Sequence, residues 1–164
     1  MRPLLMTALM LLPLAALSTA GAADLNCSGT ISGRTVNSDV KVRPGATCTL
    51  TNVRVNGDVE VGRGSSVTLT NSQVEGNVES EDGFGRITLN GSVVAGDVEA
   101  ERGGAVSLSN TRVAGDVELE RNRGALSLNR VTVQGDLKCE ANAAVPRGAN
   151  NRVQGNREGQ CARL

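Results

Sequence analysis

Carboxylate side chains recur at a fixed interval along this chain of 164 residues. An Asp or Asn follows the glycine of each V-x-G-D-V-E segment, and a Glu or Lys follows two residues later. On one face of a repeat structure these side chains would form two adjacent acidic columns, with like charges about 5 Å apart. Carboxylate oxygens are ligands that Ca²⁺ prefers. The candidate metal ligands are therefore Asp58, Asp97, Asp116, Asp136, Glu60, Glu79, Glu99 and Glu118.

The same columns have a simpler interpretation, in which neighbouring arginines balance the acidic charge. Arg63, Arg86, Arg102 and Arg121 lie in the flanking turns, a few residues away from the carboxylates. The calcium-binding nonapeptide pattern G-G-x-G-x-D is absent. We therefore expect a solvated, arginine-balanced face and no cofactor, with Ca²⁺ binding as the alternative.

A second set of polar side chains alternates with leucines in the V-T-L-T part of each repeat. This hydroxyl set is a candidate binding face and consists of Thr49, Thr51, Thr68, Thr70, Thr88, Ser107 and Ser109. A regular T-x-T face resembles the ice-binding surface of β-solenoid antifreeze proteins. Here Ser and Asn replace Thr after two coils, and Thr and Ser are ordinary residues of a strand surface. Ice binding is therefore kept as an alternative function.

The composition removes several kinds of chemistry. The chain has no His, Trp or Tyr, and Phe84 is its only aromatic residue. Common hydrolytic triads and most zinc sites use histidine, and stacking on bases or sugars uses aromatic rings. The net charge of zero favours neither nucleic acid nor an anionic membrane. We predict no enzyme and no catalytic residues. A small glycan-active β-helix enzyme is the remaining catalytic alternative, since two carboxylates suffice for glycoside hydrolysis.

The repeat itself predicts the elements that carry these side chains. Its glycines recur every 19 or 20 residues, at Gly57, Gly76, Gly96, Gly115, Gly135 and Gly155. A fixed period of this length indicates a solenoid whose coils bury their apolar faces against each other. Each copy has two stretches of period-2 alternation rich in β-branched residues, V-T-L-T and V-x-G-D-V-E-V. The sequence predicts an all-β, single-domain parallel β-helix (β-solenoid) of about seven coils, right-handed by the usual rule for crossovers.

The four cysteines have spacings that fit this coil. Cys27 and Cys48 are 21 residues apart, and Cys139 and Cys161 are 22 apart, which is about one coil plus two residues in each case. Cysteines on neighbouring coils come within disulfide distance, whereas a link from Cys48 to Cys139 would span about four coils. We predict the disulfides Cys27–Cys48 and Cys139–Cys161, which close the two ends of the solenoid.

The N-terminal segment has the pattern of a secretory signal peptide. Arg2 precedes an apolar run from Leu4 to Leu17, and small residues lead to a cleavage position near Ala23. The apolar run is shorter than the ~20 residues that span a bilayer. We predict a signal peptide at residues 1–23, a β-helix domain at residues 24–164, no membrane insertion after cleavage, and a periplasmic or secreted location.

The C-terminal residues carry a further pattern. They read G-x-L-x-C-x-x-N from Gly135 to Asn142 and N-x-V-x-G-N followed by Q-C from Asn151 to Cys161. This ending resembles that of small exported bacterial β-helix proteins, which implies a secreted β-helix and carries no established activity. The G-D-V repeats are loosely similar to those of bactofilins, cytoplasmic β-helices that form polymers. This chain departs from bactofilins in its signal peptide and its cysteine-closed ends.

Together these observations predict an exported, non-catalytic module with a structural or interaction role. Its partner would be an unidentified component of the envelope or the extracellular medium. We expect a monomer, with end-to-end stacking as the alternative.

Overall fold

The computed structural model of the protein describes residues 23–164, which form 22 short β-strands and no helix. In chain order the first eleven strands are β1 (Leu25–Cys27), β2 (Gly29–Ser32), β3 (Thr35–Val36), β4 (Val40–Val42), β5 (Thr47–Thr51), β6 (Arg54–Val55), β7 (Val59–Val61), β8 (Ser66–Thr70), β9 (Gln73–Val74), β10 (Val78–Ser80) and β11 (Arg86–Asn90). The other eleven are β12 (Val93–Val94), β13 (Val98–Glu101), β14 (Ala105–Ser109), β15 (Arg112–Val113), β16 (Val117–Glu120), β17 (Leu126–Asn129), β18 (Thr132–Val133), β19 (Leu137–Glu140), β20 (Arg147–Ala149), β21 (Arg152–Val153) and β22 (Arg157–Gly159).

Three parallel sheets run along the molecule, and each coil adds one strand to each sheet. Sheet A has eight strands, in the order β1-β4-β7-β10-β13-β16-β19-β22. Sheet B has seven, in the order β2-β5-β8-β11-β14-β17-β20, and sheet C has seven, in the order β3-β6-β9-β12-β15-β18-β21. The predicted single-domain parallel β-solenoid of about seven coils is confirmed.

The repeat segment V-x-G-D-V-E-V is not the single strand that its alternation predicts. Its first valine ends a two-residue strand of sheet C, the next residue and the glycine form a bend, and the second valine begins a strand of sheet A. In the coil of Gly57, for example, β6 ends at Val55 and β7 begins at Val59. Each coil therefore has three strands, where the sequence predicted two.

Aliphatic side chains stack in register through the interior. Leu50, Leu69, Leu89, Leu108 and Leu128 pair along sheet B and are fully buried. Valines form the equivalent column at the start of the sheet A strands, with Leu137 as its last buried member. Full burial of each such side chain stabilises the fold by about 1.5–3 kcal/mol. This continuous apolar core fixes the strand register and hence the positions of the outward side chains.

Disulfides join neighbouring coils at both ends of the solenoid. Cys27 pairs with Cys48 at a Cα–Cα distance of 5.6 Å, and Cys139 pairs with Cys161 at 5.2 Å. Both predicted pairs are confirmed, and no cysteine is free. The two bonds indicate an oxidising, extracytoplasmic environment.

The N-terminal predictions concern residues that are mostly not described. The predicted signal peptide at residues 1–23 lies outside the described residues except for Ala23. Across residues 23–164, no helix has the length and apolar character needed to cross a bilayer.

Candidate functional surfaces

The predicted aspartate column lies at the corner where sheet C turns into sheet A. Each side chain of this corner ladder accepts, through Oδ1, a hydrogen bond from the backbone N–H of the equivalent residue one coil later. The bonds run from Asp58 N to Asp39 (2.9 Å), Asn77 N to Asp58 (2.7 Å), Asp97 N to Asn77 (2.9 Å), Asp116 N to Asp97 (2.7 Å), Asp136 N to Asp116 (2.7 Å) and Asn156 N to Asp136 (2.6 Å). The column thus satisfies backbone donors that the bend leaves without a strand partner.

The glycine before each of these residues has a steric role in the same ladder. A Cβ atom placed on Gly96 would overlap Oδ1 of Asn77, the ladder residue of the preceding coil. A Cβ on Gly115 would overlap Oδ1 of Asp97 in the same way. The Gly-Asp pair is therefore one structural unit, in which the glycine of one coil makes room for the carboxylate of the coil before it.

Most of the ladder carboxylates are half-buried and already have a backbone donor on one oxygen. Within residues 23–164, no three Asp, Glu, His or Cys side chains gather in an arrangement that would hold a metal ion. The candidate ligands Asp58, Asp97, Asp116 and Asp136 share one column, and Glu60, Glu79, Glu99 and Glu118 share the next. The predicted columns exist, and Ca²⁺ binding to them stays a prediction.

The glutamate column runs along sheet A with its members in register. Glu60, Glu79, Glu99 and Glu118 pair in that order. Glu99 is largely exposed, and partial desolvation of its carboxyl raises its pKa, which the like charges of Glu79 and Glu118 raise further. The column therefore contains unfavourable charge repulsion at neutral pH.

Lysines end the glutamate column on both sides. Lys41 pairs in register with Glu60, and its Nζ lies 3.3 Å from that carboxylate and 3.0 Å from Asp24. The hydrogen bond to Asp24, followed by that to Glu60, raises the pKa of Lys41. At the other end Lys138 pairs in register with Glu118. The charge of the column is thus partly neutralised at its ends.

A third acidic column on sheet A was missed in the sequence. Glu101, Glu120 and Glu140 are in register two residues beyond the glutamate column. Glu120 is buried, with Nζ of Lys138 at 2.6 Å and a guanidinium nitrogen of Arg121 at 3.2 Å. The hydrogen bond from Lys138 lowers the pKa of Glu120 against the opposing effect of burial. The period-2 alternation continues through these residues, so this column could have been predicted from the sequence.

The turn arginines do not pair with the carboxylates of the two predicted columns. Nε of Arg102 lies 2.8 Å from Asp82, and another of its nitrogens lies 3.2 Å from Glu101. A guanidinium nitrogen of Arg121 lies 3.2 Å from Glu120. Arg63 and Arg86 form no ion pair with any residue that the structure describes.

All seven predicted hydroxyl residues lie on the outer face of sheet B. Thr49, Thr68, Thr88 and Ser107 form one column in register. Thr51, Thr70 and Ser109 belong to the next column, in which Asn90 takes the place between Thr70 and Ser109. The seven side chains are half-buried and stand over the fully buried leucine column. The structure thus assembles the predicted hydroxyl face on one regular sheet.

Two internal polar ladders are structural features that the sequence did not reveal. At the corner between sheets B and C, Ser72 Oγ accepts a hydrogen bond from Val53 N, and Ser92 Oγ accepts one from Ser72 N. At the corner between sheets A and B, Asn142 Oδ1 accepts a bond from Asn122 N, and its Nδ2 donates to Leu119 O. These buried side chains resemble ordinary turn residues in the sequence, so no pattern distinguished them.

The fold and its surfaces define an extracytoplasmic parallel β-solenoid with disulfide-closed ends and distinct acidic and hydroxyl faces. Comparison with protein-family models, with curated proteins and with solved structures finds no match for this chain.

Proposed function

We propose that this protein is an exported, non-catalytic interaction module that binds a component of the envelope or the extracellular medium. The observation that carries the proposal is the hydroxyl face of sheet B. Its two columns present Thr, Ser and Asn side chains in register over at least four consecutive strands. A repetitive surface of this kind suits a partner that is itself repetitive, such as an envelope or extracellular polymer.

The rigidity of the face supports binding by many weak contacts. Each threonine is β-branched and stiff at χ1, and the column beneath it is fully buried leucine. Little side-chain freedom is lost when such a surface meets a partner, which lowers the entropic cost of binding. Contacts repeated on successive coils of one rigid body add their effects without a separate association cost for each.

A sedimentation experiment tests this proposal. The mature protein is mixed with an insoluble envelope fraction, and the retained amount is compared between wild type and the variant T68Q/T88Q, which places two longer neutral side chains on the hydroxyl face. The matched control is T132Q, because Thr132 is a half-buried outward threonine of sheet C. We expect retention of the wild type and of T132Q, and loss of T68Q/T88Q. Equal retention of T68Q/T88Q, or no retention of the wild type, contradicts the proposal.

Ice binding is a second candidate for the same face. It is supported by the parallel Thr49–Thr68–Thr88 and Thr51–Thr70 columns, whose spacing is set by strand pairing at about 4.8 Å. Ice crystals grown in the presence of the protein test it, because adsorption to an ice plane produces faceted growth. Rounded, unaltered crystals rule this candidate out and leave the envelope-binding proposal standing.

A further inference from the structure

Four arginines line an open groove of about 470 Å³ at the corner between sheets A and B. Its lining residues come from consecutive coils and are Arg63, Asp82, Gly83, Arg102, Arg121 and Arg123. This arginine groove lies beside the hydroxyl face, because each of its turns leads directly into a strand of sheet B. Four guanidiniums and one carboxylate lie among the lining side chains. The carboxylate of Glu81 lies beside them and accepts a hydrogen bond from the backbone N–H of Arg63 at 3.2 Å. The excess of positive charge in the lining favours an anionic ligand.

The middle of the groove is held in place by packing and ion pairing. Asp82 accepts a hydrogen bond from Nε of Arg102 at 2.8 Å. Phe84, the only aromatic residue of the chain, is buried just after Asp82 and Gly83. A Cβ on Gly103 would overlap the Phe84 ring, so this glycine makes room for it. The turn that presents Asp82 is thereby anchored in the core.

Two of these arginines have an unusual backbone conformation. Arg102 and Arg121 have φ values of 50° and 52°, in the left-handed region. In the turns between sheets A and B of earlier coils, that region is occupied by Gly45, Gly64 and Gly83. Placing a residue with a side chain there costs about 1–2 kcal/mol more than placing glycine. Ala141 has a φ of 52° at the same point of the next turn, so this conformation belongs to the turn itself.

Arg63 and Arg123 are exposed, and neither forms an ion pair with any residue in the described range. The other two guanidiniums are partly engaged, Arg102 by Asp82 and Glu101 and Arg121 by Glu120. A free guanidinium presents a planar set of N–H donors that match a carboxylate in bidentate geometry. Arg63 and Arg123 are therefore the groups most available to an incoming anion.

We propose that the arginine groove binds a segment of an acidic polysaccharide, with uronate carboxylates on the arginines and sugar hydroxyls donating to Asp82. The proposal rests on the proposed function, since it names the chemical class of the polymer that the module binds. Coils repeat at about 4.8 Å, which is comparable to the length of one sugar unit in an extended chain. Carboxylates on successive or alternate sugars thus meet arginines on successive or alternate coils.

Two features favour an acidic saccharide over other polyanions. Asp82 lies among the lining residues and repels a chain that carries only negative groups, such as polyphosphate, whereas sugar hydroxyls satisfy it. Single-stranded nucleic acid binds through bases stacked on aromatic rings. The only aromatic ring of this chain, Phe84, is buried.

Isothermal titration with oligogalacturonate tests the groove. The variant R63Q/R123Q replaces the two lining arginines that form no ion pair in the described range, so no ion pair of the fold is lost. The matched control is R112Q/R152Q, which removes two exposed arginines of sheet C that also lack ion pairs. Melting temperatures of both variants verify folding.

We expect saturable binding by wild type and control, and binding at least about tenfold weaker by R63Q/R123Q, a loss of about 1.4 kcal/mol. Affinity of the wild type falls with added salt, because exposed charges are screened. Equal affinity of R63Q/R123Q and wild type overturns the proposal. Tighter binding of a polyphosphate of matched charge also overturns it, because the groove would then respond to charge alone.

The envelope sedimentation experiment separates this inference from the proposed function. If the groove assignment fails, the wild type is still retained by the envelope fraction and T68Q/T88Q is still lost. If the proposed function fails, the wild type is not retained at all, whatever its affinity for oligogalacturonate.

Discussion

The corner ladder predicts that the side chain of Asp97 stabilises the fold through its carboxylate oxygen. Its Oδ1 accepts a hydrogen bond of 2.7 Å from the backbone N–H of Asp116, and both residues are half-buried. The variant D97A leaves that N–H without a protein acceptor. A hydrogen bond to a charged group contributes about 1.5–3 kcal/mol, and partial access of water to the corner reduces the loss. We therefore expect D97A to lower the free energy of unfolding by about 1–2 kcal/mol.

The variant D97N is the matched control for D97A. It keeps an acceptor oxygen at the same position, and the chain already contains this arrangement, because Asn77 Oδ1 accepts the bond from Asp97 N at 2.9 Å. Removal of the charge also relieves Glu99, whose pKa is raised in part by Asp97. We expect D97N to stay within about 0.5 kcal/mol of the wild type, as is usual for a surface substitution that leaves local hydrogen bonds intact.

Urea unfolding of the oxidised protein measures the free energy of unfolding of both variants. The dependence of this free energy on urea concentration is compared with that of the wild type, to ensure that the unfolded states are equivalent. For a domain of this size, 1–2 kcal/mol corresponds to a decrease of about 3–6 °C in melting temperature. If D97A leaves the free energy of unfolding unchanged, water replaces the ladder hydrogen bond without cost. A D97N as unstable as D97A would show that the charge, and not the acceptor oxygen, holds the corner.

Two further predictions concern the charges of sheet A. The raised pKa of Glu99 means that its charged form destabilises the fold. Because two like charges lie about 5 Å away, E99Q should raise the free energy of unfolding by about 0.5–1 kcal/mol at pH 7 and low salt. This gain disappears as the pH falls through the raised pKa and the wild-type carboxyl becomes protonated. The lowered pKa of Glu120 means that its charged form stabilises the fold, so E120Q should lower the free energy of unfolding by about 1–2 kcal/mol at pH 7. This loss should vanish as the pH falls through the lowered pKa of the wild-type residue. Identical pH profiles of stability for E99Q and E120Q would contradict both assignments. Millimolar Ca²⁺ should leave the melting temperature unchanged, because the ladder aspartates already hold backbone donors, and a rise would show that the acidic columns bind the ion.

The repeat period was sufficient to predict the coil, the core columns and the cysteine pairs. Parallel pairing places equivalent residues of successive coils side by side, so a period of 19 or 20 residues determines which residues meet. Leu69 pairs with Leu50 and Leu89 for this reason alone. The same logic placed the hydroxyl residues on one face, because alternation fixes which side chains point outward.

The corner between sheets C and A could not be predicted in the same way. Period-2 alternation continues from Val55 through Gly57 to Val59, so the segment has the pattern of one strand although the chain bends at Asn56 and Gly57. The hydrogen-bond partner of each ladder carboxylate is a backbone N–H. A pattern of side chains in the sequence does not predict which backbone groups are left without a strand partner. The sequence therefore placed the aspartates in a column without revealing that the column is a structural hydrogen-bond ladder.

The arginine groove was hidden by the unequal lengths of the turns that form it. The turn after β10 contains five residues, from Glu81 to Gly85, whereas that after β13 contains three, from Arg102 to Gly104. Alignment on the core leucines gives Arg63 and Arg102 the same position, but Gly83 and Asn122 occupy it in the coils after each of them, so no arginine column is visible in the sequence. Only the folded turns bring them to one groove.

The charge distribution around the groove determines which way a bound polyanion extends. On the sheet A side lie Glu101 and Glu120, followed by the glutamate column, and like-charge repulsion opposes an acidic chain there. On the sheet B side lies Arg86, an exposed residue in register with Ser66 and Ala105, followed by the neutral hydroxyl columns. An acidic chain that enters the arginine groove is therefore directed across sheet B. The proposed hydroxyl contacts and the proposed arginine contacts then belong to one continuous surface, and the acidic face of sheet A acts as its boundary.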